Sequence, residues 1–199
     1  MDIPLNPGDD MRKYLKLEEL EALLKAAKTL RDRVIVRLMY ETGMRVGEVA
    51  ALRVGDIDFD LEEISIQHAK RHEEGRKVPL VGLRTLAMLS EYLGPRVNKK
   101  EDSVFVSRRH GALSSDGIAS MIRDCGIRAG FDLDKCHPHV LRHTHAVQAL
   151  KAGISLRALQ QNLGHSKIKT TAIYLTMGIE DRKETYAAHP LPCTEERSP

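Results

Sequence analysis

The sequence lacks three features that would each place it in a different class of protein. It has no apolar run long enough to span a bilayer, which excludes a typical transmembrane helix. Its first residues, MDIPLNPGDDMRKYL, lack the charged and then apolar plan of a secretory signal. Its cysteines are only three, without C-x-x-C spacing, so we expect free thiols rather than a disulfide framework. We therefore expect a cytosolic protein.

The sequence also has little net charge, but its charges are unevenly distributed. Lys and Arg number 31 against 28 Asp and Glu, for a net charge of +3. Acidic residues crowd the segment GDIDFDLEE, whereas basic residues cluster elsewhere, at Lys70, Arg71, Arg76 and Lys77, at Arg96, Lys99 and Lys100, at Arg108 and Arg109, and at Lys167 and Lys169. Such clusters suit a polyanionic partner, although a solvated surface explains any single cluster equally well.

Apolar spacing predicts a mostly helical chain with one small sheet. Helical patterns begin near Leu17 and cover 31–42, 45–52, 82–93, 115–129, 139–152, 156–163, 168–176 and 179–187. Between Ile57 and Leu80 the pattern changes, because EISIQHA alternates, HEEG is polar and RKVPL follows. That order predicts an antiparallel hairpin. Gly43 predicts a break that leaves Arg45 at the start of a helix.

The stretch HPHVLRHTHA, residues 137–146, contains four histidines and one arginine. Pro138 suits a first helical turn, which places His139, Arg142 and His143 on one face. His139 and His143 could bind zinc, but a metal site needs further ligands. No acidic residue that could serve as one lies between His137 and Lys151. An arginine between histidines better suits a phosphate group. A partly buried helix with incidental histidines remains an alternative for this stretch taken alone.

Two further stretches help to choose between a metal site, a phosphate site and a helix with incidental histidines. LGHSKIKTTAIYLT, residues 163–176, places His165 nine residues before Tyr174, and ETGMRVGEVAAL covers residues 41–52. Together with HVLRH at 139–143, these three segments resemble, in the expected order, the boxes of the tyrosine recombinase family, which includes phage integrases and chromosome-dimer-resolving recombinases. The resemblance implies an α+β fold, a mainly α-helical catalytic domain with a small three-stranded antiparallel sheet.

The resemblance also implies a role for each matching residue. Tyr174 would attack a DNA phosphodiester and form a 3′-phosphotyrosine bond, while Arg45 and Arg142 would hold the non-bridging oxygens. His139 and His165 would hydrogen-bond the phosphate, and His139 is a candidate to accept the tyrosine proton. The reaction would need no metal or cofactor, because positioned cations stabilise the charge of phosphoryl transfer, and no ATP, because the covalent bond to tyrosine conserves the energy of the broken bond.

The family lysine, which protonates the departing 5′-oxygen, is harder to place. Arg71 stands at the usual spacing before the V-P-L exit, and Lys70 precedes it. We favour Lys70, because an ammonium gives up its proton far more readily than a guanidinium. Lys77 is a third candidate. Glu48, three residues after Arg45, either orients that arginine or forms an ordinary surface pair.

The other histidines of this stretch have less specific expectations. His143 either supports the site or packs in the core, and His137 and His145 are expected on the surface or in packing contacts.

Composition and the resemblance together predict a flexible leader at 1–14, a catalytic domain at 15–177, and a C-terminal helix with a disordered tail at 178–199. Family members usually carry a preceding DNA-binding domain, so the chain is expected to be either a catalytic fragment or a minimal member. We expect double-stranded DNA as the partner, a monomer when free and a homotetramer on paired DNA sites. The alternatives are DNA relaxation of the type IB topoisomerase kind and a non-catalytic DNA-binding module.

Overall fold

Seven α-helices and three short strands follow one another along the part of the chain that the computed structural model describes, residues 14–67, 75–80, 82–107 and 111–164. The helices are α1 (Leu17–Ala26), α2 (Leu30–Thr42), α3 (Val46–Ala51), α4 (Leu83–Leu93), α5 (Ser115–Arg128), α6 (Pro138–Lys151) and α7 (Leu156–Leu163). The strands are β1 (Ile57–Asp58), β2 (Glu63–Ile66) and β3 (Arg76–Pro79). Short 3-10 turns cover Val54–Asp56, Gly94–Asn98 and Leu133–Lys135.

The predicted helices in this part of the chain are confirmed, with ends that differ by about one residue. Side-chain caps explain several starts, because Thr29, Ser114 and Ser155 each accept a hydrogen bond from a backbone N–H in the first turn. Pro138 occupies the first turn of α6 as expected. The helices predicted near 168–176 and 179–187 lie outside the described residues.

The predicted three-stranded antiparallel sheet is also confirmed, in the order β1-β2-β3. Ile57 pairs with Ile64, and Ile64 pairs with Val78. These side chains are buried, as the two-residue period of a half-buried sheet requires. Arg76 lies two residues before Val78 and therefore points to the same, inner face of β3.

Helix α2 runs through the centre of the domain and packs on α6 and α4, while α1 and α3 pack on α5. Most of its apolar side chains are therefore buried. A separate small cluster of Ala146, Ala149, Leu159 and Leu163 joins α6 to α7. Complete burial of a leucine such as Leu163 contributes roughly 1.5–3 kcal/mol. This cluster fixes where the carboxyl end of α7 lies.

Gly43 ends α2 in a left-handed conformation with φ of 66°. A Cβ atom at this position would lie 2.6 Å from His145 Cδ2, too close for two carbon atoms. Glycine therefore permits both the turn and the close approach of α6 to the end of α2. The same turn delivers the chain to Arg45.

Cys125 and Cys136 are free thiols, as expected, and Cys193 lies outside the described residues. In the described ranges, every helix is too short or too polar to span a bilayer.

Candidate active site

Arg45 lies at the start of α3, where its backbone and its side chain both contact Glu48. The backbone N–H of Arg45 donates to Glu48 Oε2 at 2.7 Å, and Arg45 Nη1 donates to Glu48 Oε1 at 3.2 Å. Glu48 is therefore an orienting partner of Arg45, the first of the two interpretations that the sequence allowed. The Arg45 side chain nevertheless keeps 42% of its surface exposed, so it can reach a ligand.

In contrast to Arg45, Arg142 on α6 is buried, and it lies between the ends of two other helices. Its Nη1 donates to the Gly43 carbonyl at 2.6 Å, and its Nη2 donates to the Leu163 carbonyl at 2.7 Å. Both carbonyls belong to helix ends, where oxygens lack partners within the helix and carry partial negative charge. The guanidinium satisfies them and joins α2 to α7.

The two arginines thus meet at the carboxyl end of α7. Arg142 binds the Leu163 carbonyl, and Arg45 Nη2 points at the next carbonyl, that of Gly164, at 3.4 Å. Gly164 is left-handed with φ of 63° and is the last residue before His165. The fold therefore gathers two cations, distant in sequence, at the turn that precedes the LGH histidine.

The histidines of α6 lie along the same helix as Arg142. His139, three residues before Arg142 on this helix, is exposed, and its ring centroid lies 6.3 Å from that of His137. His143 is partly buried. Within the described segments, no three His, Cys, Asp or Glu side chains come together as a metal site. The chemistry that this cluster offers is hydrogen bonding and proton transfer to an anion.

His145 is a packing residue, as expected, and it holds three elements together. Its Nδ1 donates to the Tyr40 carbonyl at 2.8 Å, and its Nε2 accepts from Asn162 Nδ2 at 3.1 Å, which together require the neutral tautomer with its proton on Nδ1. Asn162 Nδ2 also donates to the Thr42 carbonyl at 3.0 Å. Burial lowers the pKa of His145, and the nearby charge of Arg142 lowers it further. The imidazole is therefore held neutral.

Arg76 is the residue of this site that sequence reasoning missed. In the sequence it belongs to a basic cluster, but its side chain turns inward from β3 and only 10% of it is exposed. Its Nη1 and Nη2 donate to the two oxygens of Glu48 at 2.8 and 2.9 Å. The signal available in the sequence was strand alternation, because Arg76 shares a face with the apolar Val78.

The expected nucleophile and three of its expected helpers lie outside the described residues: Tyr174, His165, Lys70 and Arg71. The third candidate for the family lysine, Lys77, is described and points away from Arg76, with Nζ donating to Glu63 Oε2 at 2.8 Å.

Comparison with known proteins agrees with this helical fold. The profile of the phage integrase family matches residues 13–178. The tyrosine recombinase XerA of Saccharolobus solfataricus is 33% identical over 168 residues, 84% of this chain and 53% of that protein. A crystal structure of XerA recombinase superposes with a TM-score of 0.77 at 34% identity, covering 90% of this chain and 66% of that one. XerH recombinase bound to a palindromic difH substrate, a post-cleavage complex, gives a TM-score of 0.73 at 25% identity, covering 91% and 53%.

The fold is a mainly α-helical domain with a small three-stranded sheet, and it brings Arg45 and Arg142 to the same end of α7. The chain belongs to the phage integrase family. It spans about half to two thirds of the length of these relatives.

Proposed function

We propose that this protein is a site-specific DNA recombinase that breaks and rejoins DNA through a 3′-phosphotyrosine intermediate on Tyr174. The observation that carries the proposal is the convergence of Arg45 and Arg142 on consecutive carbonyls at the end of α7. His165 is the next residue of the chain, which supports a single site made of the arginines and that histidine. Xer relatives are recombinases by name, which favours recombination over simple relaxation of DNA.

The proposed chemistry exchanges one phosphodiester bond for another. The phenolic oxygen of Tyr174 bonds to phosphorus while the bond to the 5′-oxygen breaks. His139 accepts the tyrosine proton, and Lys70 donates a proton to the departing 5′-oxygen. A phenol has a pKa of about 10, so it needs this help to become nucleophilic. Since the new bond conserves the energy of the old one, religation needs no ATP.

The arginines and histidines supply the positive charge that the transition state requires. Arg45 and Arg142 each offer forked donors to non-bridging oxygens, and one such arginine contributes on the order of 10³ to the rate. His139 and His165 add hydrogen bonds. We propose on this basis that the reaction uses no metal and no cofactor.

Lys70 remains our choice for the acid, with Arg71 as the alternative. The ion pair of Lys77 with Glu63 on the outer face of β3 supports a donor from the segment between β2 and β3 instead. The proposed partner is double-stranded DNA, by analogy with XerH, whose structure is a complex with its difH substrate. We further propose a cytoplasmic protein that is monomeric when free and tetrameric on two paired sites.

The experiment that tests this function uses a nicked suicide duplex carrying the attachment sequence of the source genome. The wild-type chain should form a covalent adduct with the DNA that survives denaturation, and EDTA should not reduce its yield. Tyr174→Phe should bind the duplex with unchanged affinity and form no adduct, because only the phenolic oxygen is lost. An adduct of wild-type yield in Tyr174→Phe, or a strict need for a bound metal, would contradict the proposal.

A further inference from the structure

Arg76 makes contacts that connect three elements of the site. Its Nη1 and Nη2 bind both oxygens of Glu48 on α3, and its Nε donates to the Asn162 carbonyl on α7 at 2.8 Å. A guanidinium offers this fork of donors in a fixed plane, whereas a lysine does not. The residue thus ties β3 to the start of α3 and the end of α7.

The contacts of Arg76 also set the net charge around Arg45. Glu48 alone would cancel the charge of Arg45, and the pair would attract a phosphate weakly. With Arg76 added, the group of two arginines and one glutamate has an excess of positive charge. The side chains of Arg76 and Glu48 are 10% and 12% exposed, so this excess charge faces solvent at Arg45, which is 42% exposed.

The carboxylate of Glu48 responds to both arginines. Burial by itself would raise the pKa of Glu48, but the hydrogen bonds from Arg76 and from the Arg45 backbone hold the pKa below its usual value. Glu48 is therefore ionised throughout the neutral range, and its negative charge needs a permanent partner other than the arginine that faces the ligand.

The backbone turn at Gly164, after α7, packs closely against the Arg76 side chain. A Cβ atom on Gly164 would lie 2.9 Å from Arg76 Nη1 and 3.2 Å from its Cδ. The guanidinium therefore rests against the backbone that precedes His165, in a space that only glycine leaves open.

Resting on the recombinase chemistry proposed above, we propose that Arg76 is a positioning residue: it neutralises Glu48 and so leaves the charge of Arg45 available to the DNA phosphate. Arg76 touches neither reacting atoms nor substrate in this role. It acts through Glu48 on Arg45, and through the Asn162 carbonyl on the end of α7.

The test measures adduct formation on the suicide duplex together with duplex affinity. Arg76→Gln should reduce the single-turnover rate on the order of 100-fold, since Glu48 then pairs with Arg45 alone and an active-site arginine contributes about 10³. Duplex affinity should change by less than about threefold, because most of it comes from other phosphate contacts. Arg53→Gln is the matched control, since it removes an arginine from an exposed ion pair with Glu101 and should leave the rate unchanged.

A second pair of variants separates charge from structure. In Glu48→Gln/Arg76→Gln the negative charge is gone, while the amide oxygen introduced at position 48 can still accept from the Arg45 N–H, so the rate should recover to within about tenfold of wild type. Arg76→Lys should lie between wild type and Arg76→Gln, because it keeps the charge and loses the fork. If the double variant is as slow as Arg76→Gln, or if Arg76→Lys is equally slow, the charge mechanism is wrong. Where Arg76→Gln does not fold, the double variant is compared with wild type, and a loss much greater than about tenfold in the folded double variant contradicts the charge mechanism.

A measurement without DNA keeps this inference separate from the proposed function. Carbon NMR of the Glu48 carboxyl should show its pKa rise in Arg76→Gln. If the wild-type chain forms no adduct but this pKa rises, the recombinase proposal fails and the charge coupling stands. If the wild-type chain forms the adduct and Arg76→Gln forms it equally fast, the positioning role fails and the recombinase proposal stands.

Discussion

His145 shows how one residue can make this fold sensitive to acid. Its ring is held neutral because it is partly buried between α2 and α7, where Nε2 accepts a hydrogen bond from Asn162. Protonation would place a second positive charge near Arg142 and would remove that acceptor. The neutral imidazole of His145 therefore has a structural role and does not serve as a proton donor in catalysis.

We predict that stability falls as the pH drops below about 6.5, the ordinary pKa of histidine. The unfolded chain takes up the proton first, because the pKa of His145 is lower in the folded state, and the loss continues down to that lower pKa. Urea unfolding at pH 7, 6 and 5 checks this expectation. His145→Phe cannot titrate and should be less stable at pH 7 but lose less stability between pH 7 and 5; an equal loss in both proteins would contradict it.

At the scale of elements, the carboxyl end of α7 is the part of the fold on which the site depends. Arg76, Arg142 and Arg45 point donors at the carbonyls of Asn162, Leu163 and Gly164, in that order. Each arginine comes from a different element. The helix dipole and the unsatisfied carbonyls favour cations at this end. The arginines therefore stabilise the end of the helix, and its carbonyls in turn fix the positions of the guanidinium groups.

Gly164→Ala should therefore reduce both stability and adduct formation. Alanine at a positive φ costs about 1–2 kcal/mol, and its Cβ would also displace the Arg76 guanidinium. Gly153→Ala is the matched control, since Gly153 has φ of 84° but open space around its Cβ. Thermal unfolding should show a similar backbone cost in both variants, whereas the adduct rate should fall only in Gly164→Ala. Equal rates in the two variants would show that the Arg76 contact is dispensable.

At the scale of the whole molecule, we expect the proposed tetramer to depend on residues after the catalytic segment. The segment MGIEDRKETYAAHPLP, which begins at Met177, is predicted from sequence to form a short helix before a Pro-rich end. A helix of about ten residues is marginal in water on its own, so it needs a surface to cover its apolar side. In the resembled family such a tail commonly packs on a neighbouring protomer.

We predict that truncation after Met177 preserves cleavage of the suicide duplex and reduces the assembly of two duplexes into one complex. The truncated chain keeps every proposed catalytic residue but loses the segment that would contact the next protomer. Native gels and light scattering with paired sites measure synaptic complexes, and adduct yield on single sites provides the control. Synapsis by the truncated chain at the full-length level would show that the tail does not couple protomers.

Local interactions explain what the sequence determined by itself. The helix starts, the break at Gly43 and the pairing of Arg45 with Glu48 each involve residues at most about four apart, so spacing and capping chemistry were enough to predict them. The hairpin of β2 and β3 followed from the alternation in EISIQHA and the RKVPL segment after it, whereas the third strand was expected from the family resemblance. The candidate residues His139 and Arg142 followed from a short motif on one helix.

Only the tertiary structure decided how these pieces work together. Arg76 is 28 residues from Glu48 and 86 from Asn162, and Arg142 is 99 from Gly43. No local pattern encodes such pairs, because they form only when β3, α3, α6 and α7 come together in the folded domain. Packing also decided that Arg76 is largely buried against Glu48 while the Arg45 side chain stays 42% exposed, and that difference separates a charge that holds the site together from one that can meet a phosphate.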